Sequence, residues 1–147
     1  MGPRRAGVLL AVLAAACAVP GPRPVILGSD LCQHCHMTVA DDRFVAQLVT
    51  TTGKVLVYDD AGCLATALGE GIVPESQVRS LWVTDFLAPA SLLEAPDAWF
   101  VRAASLSTPM ASGLAAVGSS RQADSLAAAL GGEVLRWQAV RAAPHGH

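Results

Sequence analysis

The sequence predicts an α+β domain built from two strand–strand–helix–strand (ββαβ) units packed on each other, and three observations carry that reading. β-rich runs at 43–49 and 54–58 flank Thr50-Thr-Thr-Gly53, which reads as a hairpin. A short apolar stretch at 61–68 follows Asp59-Asp60 and ends at Gly69, the pattern of a capped helix. The same order of signals then recurs downstream. Neither unit alone buries a convincing core, so both are expected in a single domain over 25–140, with units at about 38–85 and 97–138.

Taken in order, the hairpin strands lead to a helix that either Asp59 or Asp60 can cap. Leu64 and Leu68 fall on one face, as do Cys63 and Ala67, and Gly69 is expected to stop the helix. Pro74 breaks the chain before a strand over 78–84. Residues 85–97, with Pro89 and Pro96, read as an ordered surface connection. The second unit begins with strands at 99–103 and 113–117. Ser119 caps the next helix with Gln122 reciprocating, and Gly131-Gly132 ends it before a closing strand at 133–137. The tail over 141–147 is expected to be flexible.

The chain is 52% hydrophobic and 15% charged with a formal net charge of −2, and no Lys/Arg cluster lies beyond the first five residues. That excludes the electrostatic footprint of a nucleic-acid binder. Arg4 and Arg5 precede an apolar run at 6–16, which reads as an export signal over 1–16 and is too short to span a bilayer. Ala14-Ala-Ala-Cys17 resembles a bacterial lipobox, so Cys17 is expected to carry lipid and to begin the mature chain. The Pro/Gly-rich segment 17–24 would then tether an extracytoplasmic domain, on the periplasmic side, to a membrane.

With Cys17 lipidated, Cys32, Cys35 and Cys63 remain, an odd number for an oxidising compartment. The segment from Cys32 to Met37 gathers two thiols, two imidazoles and a thioether. If it is extended, Cys35 and Met37 point the same way while His34 and His36 point oppositely. If it curls into a turn, Cys32 and Cys35 converge, and Cys35 belongs to the group in both cases. Thiolate with thioether is a soft pair that selects Cu(I). A zinc cage of four protein ligands is not evident, because no second Cys-x-x-Cys completes one. A structural disulfide across Cys32-Gln-His-Cys35 and a thioredoxin-like redox pair are the other readings. The redox pair is disfavoured because Met-Thr-Val and a hairpin, not a helix, follow. Cys63 reads as a small buried hydrophobe and Met110 alone as core filler. His145 and His147 lie in the tail, where a defined metal geometry cannot be held.

Taken together, Asp30-Leu-Cys-Gln-His-Cys-His-Met37, Asp42-Arg-Phe44, Val57-Tyr-Asp-Asp-Ala-Gly-Cys-Leu64, Trp82-Val-Thr-Asp85 and Thr108-Pro-Met-Ala-Ser-Gly113 resemble the NosL family in content and order. The resemblance implies a lipoprotein with paired ββαβ units, a fold shared with the organomercurial lyase MerB. It implies no enzymatic activity, but Cu(I) binding and a copper chaperone's role with nitrous oxide reductase or its maturation machinery. By position it implies Cys35 and Met37 as ligands, with Met110 as a nearby donor or gate and Cys32 or His36 completing the site. His36 departs from the family pattern, which commonly has Gly there. The alternative in another class is a thiol–disulfide oxidoreductase acting on cysteines of a copper protein.

Overall fold

The computed structural model describes residues 19–143. The export signal, Cys17 and the tail residues His145 and His147 lie outside them. The first unit contains β1 (Ala46–Thr50), β2 (Val55–Tyr58), α1 (Ala61–Gly69) and β3 (Val78–Thr84). The second contains β5 (Trp99–Arg102), β6 (Leu114–Val117), α2 (Ser120–Leu130) and β7 (Glu133–Arg136). Between them lies β4 (Leu92–Glu94), and α3 (Trp137–Ala142) closes the chain. The order β2-β1-β3-β4 forms one antiparallel sheet and β6-β5-β7 a second. The fold class is therefore α+β with two ββαβ units, as the sequence predicts.

The β1–β2 hairpin turns where Gly53 adopts φ +88°, and Thr50 closes the loop through backbone bonds with Lys54 and Gly53 at 2.9 Å each. Asp60, rather than Asp59, caps α1 by accepting the Cys63 N–H at 2.8 Å. Gly69 is still helical, and the chain leaves the helix at Gly71, where φ is +68°. Ser119 caps α2, accepting the Gln122 N–H at 3.3 Å. The reciprocal bond differs from a capping box, because Gln122 Oε1 accepts from the Ser119 hydroxyl at 2.8 Å. Gly131, at φ +65°, supplies the left-handed cap that ends α2.

Two segments depart from the sequence reading. Residues 92–94 of the expected connection pair with β3 through Trp82↔Glu94 and Thr84↔Leu92, because a short apolar pair suffices to extend an open sheet edge. The end of the expected closing strand, and the first residues of the expected tail, form α3 instead. Trp137 and Val140, three positions apart, are buried on one helical face, and Trp137 packs on Phe100 with ring centroids 5.6 Å apart. Arg141 is further held by Glu75 at 2.9 Å.

One core serves both units. Leu48, Tyr58 and Leu64 from the first unit share a buried cluster with Phe100, Leu114 and Trp137 from the second and α3. Helix α1 lies in the middle of it, with seven residues from Ala61 to Leu68 buried. A parallel bridge between Asp85 and Ala116 joins the two sheets, with the Phe86 N–H donating to Ala116 O at 2.8 Å.

Candidate metal site

The Cys-rich segment is a turn and not an extended strand. Leu31 and Thr38 form an isolated antiparallel bridge, the Cys32 N–H donates to Met37 O at 2.9 Å, and the His36 N–H donates to Cys32 O at 3.0 Å. The Gln33 N–H reaches Val57 O at 2.9 Å and fastens the turn to β2. The geometry expected of an extended Cys35-x-Met37 pair is thereby replaced, because these backbone bonds close the segment on itself. His36 takes φ +63° where the turn closes, a conformation that glycine adopts freely and that histidine holds at a cost of about 1 kcal/mol.

The turn brings Cys32 and Cys35 together, and the fold adds two groups that the sequence reading did not place in the site. Asp59 follows β2 directly, and Cys63 sits in the first turn of α1. One donor atom from each of Cys32, Cys35, Asp59 and Cys63 lies within 4.8 Å of the others. A metal–sulfur bond of about 2.3 Å places two thiolates on one ion no more than about 4.6 Å apart. The donors therefore stand close to ligating positions without rearrangement of the fold. Cys32 and Cys63 are 0% and 3% exposed, whereas Cys35 is half-buried and lies at the edge. All three thiols are free.

Asp59 is 1% exposed, accepts the Cys35 S–H at 3.2 Å through Oδ2, and leaves Oδ1 buried with no hydrogen-bond partner. An orphaned carboxylate oxygen among three thiols is an unmet demand for a proton or a cation. Tyr58 is likewise fully buried with its hydroxyl unpaired, and burial, with the adjacent Cys32 and Cys63, pushes it up to about 12.

The thiols are electrostatically distinct. Hydrogen bonding by Cys63 and by the backbone of Cys35, Asp59 and His34 favours the thiolate form of Cys32. Together these bring Cys32 down to about 6 against the effect of burial. Burial, Asp59 and Cys32 push Cys35 up to about 12, although the Met37 N–H works in the other direction. Cys63 is raised by its bond to Cys32, by burial and by Asp59. The site thus favours the thiolate form at Cys32 and the protonated form at Cys35 and Cys63.

The remaining expected residues take different places. Met110 is partly buried against the core cluster that contains Cys32 and Cys63, and Cys35 packs on the same cluster. The Met110 N–H donates to Asp60 Oδ2 at 3.3 Å, and the Ser112 hydroxyl donates to the same oxygen at 2.9 Å. A Cβ on Gly62 would stand 2.6 Å from Ser112 Cβ, so glycine there admits the close approach of the 108–113 loop. Met37 is 52% exposed and His36 is exposed, both outside the buried quartet. His34 pairs through Nε2 with Glu70 at 3.2 Å. Cys63 was legible only as a buried face of α1, and Asp59 only as a cap. The signal that could have found them is the closeness of Asp59 and Cys63 within Val57-Tyr-Asp-Asp-Ala-Gly-Cys-Leu64.

The fold and site define a two-unit α+β domain with a thiol-rich, metal-competent centre between a turn, a strand end and a helix start. The model of the NosL family matches residues 25–144, and the chain belongs to that family. Its fold is similar to the crystal structure of the copper chaperone NosL from Shewanella denitrificans, with a TM-score of 0.68 and 22% identity over 82% of this chain and 96% of that one. A search of curated proteins finds no match.

Proposed function

We propose that this chain is an extracytoplasmic, lipid-anchored Cu(I)-binding protein. It acts as a copper chaperone in the maturation of nitrous oxide reductase copper centres and has no catalytic activity of its own. The observation that carries the copper reading is the convergence of Cys32, Cys35 and Cys63 within 4.8 Å, with only Cys35 reaching solvent. Thiolates select a soft ion such as Cu(I). Copper is cargo here, so the site must release it as well as hold it. The half-exposed Cys35 gives an acceptor's ligand a point of entry, and the exposed Met37, two residues further on, is a soft donor that the acceptor side can reach. Family membership and the likeness to the copper chaperone NosL of Shewanella denitrificans support the reading.

The thiol chemistry supports binding over redox exchange. A nucleophilic cysteine needs thiolate character and access in the same residue. Cys32 has the low pKa and no exposure, whereas Cys35 has the exposure and a thiol pushed up to about 12.

One observation favours a second reading. The orphaned Asp59 Oδ1 supplies the fourth donor that the sequence lacked, and three thiolates with one carboxylate suit tetrahedral Zn(II). Competition titration of the reduced, anaerobic protein with chelators for each metal tests both. Tighter binding of Cu(I), at about one ion per chain, is expected. A preference for Zn(II) that Asp59→Ala abolishes would establish the second reading instead.

A further inference from the structure

The end of the first sheet remote from the metal site carries features that metal binding does not use. The Pro20 ring lies 3.2 Å from where a Cβ on Gly53 would stand, at the β1–β2 hairpin tip. Three residues further on, the Arg23 N–H donates to Gln47 Oε1 at 3.0 Å, and Gln47 Nε2 donates back to Arg23 O at 2.8 Å. Much of the expected tether is thus part of the fold, and the chain joins the body by Pro20. Cys17 lies three chain steps before Pro20, and three steps span at most about 11 Å. A lipid on Cys17 therefore requires the hairpin tip to lie near the headgroups.

That tip has the surface such a position calls for. Lys54, the only lysine in the sequence, is exposed there. Arg79, on the other side of β1, is also exposed at this end and donates to Thr51 O at 3.1 Å. Neither forms an ion pair among the described residues. Glu75, on the segment that meets the tip through the Thr51–Gln77 backbone bond, is paired with Arg141. Val19 and Ile72 are 79% and 51% exposed, and Ile72, Thr51, Thr52 and Lys54 line a groove of about 400 Å³. The metal site stands at the other end of β2. From Lys54 to Asp59 the chain advances five residues, about 17 Å along a strand.

We propose that the hairpin tip docks on an anionic lipid bilayer, with Lys54 and Arg79 toward the headgroups and the metal site facing away from the membrane. This rests on the lipid anchor at Cys17. Two basic groups near an anionic surface attract it additively and are screened by salt. The metal mouth at Cys35 is then presented to an acceptor approaching from the aqueous side.

The test uses the lipidated full-length chain on vesicles of phosphatidylcholine alone or mixed with phosphatidylglycerol. Amine acylation at Lys54 and thiol alkylation at Cys35 are read by peptide mass. Acylation of Lys54 should slow at least about fivefold on the phosphatidylglycerol vesicles and recover in high salt, while Cys35 reacts equally on both. Equal labelling of Lys54 on the two vesicle types, or shielding of Cys35 in its place, overturns the docking and leaves the anchor standing. A chain that holds to neither vesicle overturns the anchor, and the docking with it.

Discussion

The hydroxyl of Ser112 donates to the Asp60 carboxylate at 2.9 Å, across 52 residues of sequence. Through this bond the second ββαβ unit is fixed to the first turn of the helix that carries Cys63. The same carboxylate caps α1 at the Cys63 N–H and receives the Met110 N–H. A buried aspartate that satisfies three donors is exacting to replace. Asp60→Ala is expected to destabilise the domain by about 2–4 kcal/mol, from the lost cap and the stranded Ser112 hydroxyl. Asp60→Asn, which retains a capping oxygen, should lose less than half of that. Urea denaturation midpoints check both, and equal losses would show that the cap is not the dominant contribution.

The turn geometry changes which residues matter for copper. Cys32 and Cys63 belong to the buried set with Cys35, so each Cys→Ser substitution is expected to weaken Cu(I) binding at least about 100-fold, or about 2.7 kcal/mol. Met37, half-exposed and outside the quartet, should cost about tenfold or less as Met37→Ala. Chelator competition on the single variants measures this. A Cys63→Ser protein with wild-type affinity would return Cys63 to the role of core filler.

Copper affinity should rise with pH without levelling off near neutrality. The metal takes the thiolate, so binding must displace the proton of Cys35, whose thiol is pushed up to about 12. A raised thiol pKa means the proton is present throughout the neutral range and must be removed at every pH below that value. Affinity measured from pH 6 to 9 should therefore climb steadily. A plateau above pH 7 would mean that neither Cys35 nor Cys63 gives up a proton on binding.

Acid stability should depend on Asp30. The Arg23 guanidinium binds it through two nitrogens at 2.6 and 2.8 Å, and with the Ile26 N–H this holds its carboxyl below the usual range. A depressed pKa contributes stability that is fully present above the unfolded value, about 3.9, and is lost as pH falls through the lower folded value. Asp30→Asn should lower stability at pH 7 and flatten its decline below about pH 4. Denaturation curves at several acidic pH values test it. An unchanged acid limb in the variant would place the titrating group elsewhere.

His36 should report backbone strain. At φ +63° and exposed, it should tolerate Gly with a change within about 1 kcal/mol, since relief of strain is offset by unfolded-chain entropy. His36→Val should cost about 1–2 kcal/mol, because a β-branched residue is disfavoured in that region. Thermal unfolding of the two variants separates them.

The order of elements was legible because it depends on local signals. Thr50-Thr-Thr-Gly53, Ser119 and Gly131 each act within a few residues of themselves, and their hairpin, cap and stop stand where the sequence puts them. What local pattern could not supply was partner choice. Leu92–Glu94 is a strand only because β3 offers an edge, and α3 is a helix because Trp137 and Val140 find Phe100 and α1 to pack on. The same limit applies to the metal site. Cys35 was placed in the site by its neighbours in sequence, but Cys63 and Asp59 enter it only through the docking of the turn on β2 by the Gln33–Val57 bond.

The four converging donors come from a turn at 32–35, a strand end at 59 and a helix start at 63, so a bound ion fastens three separate pieces of chain at one point. Whatever binds the folded state alone stabilises it by mass action. An empty molecule and a laden one then differ in how readily they open, and proteases that sample open states will remove the empty form first. Metal loading would thereby slow proteolysis of the folded chain, a difference that digestion of metal-free and metal-loaded protein reads directly.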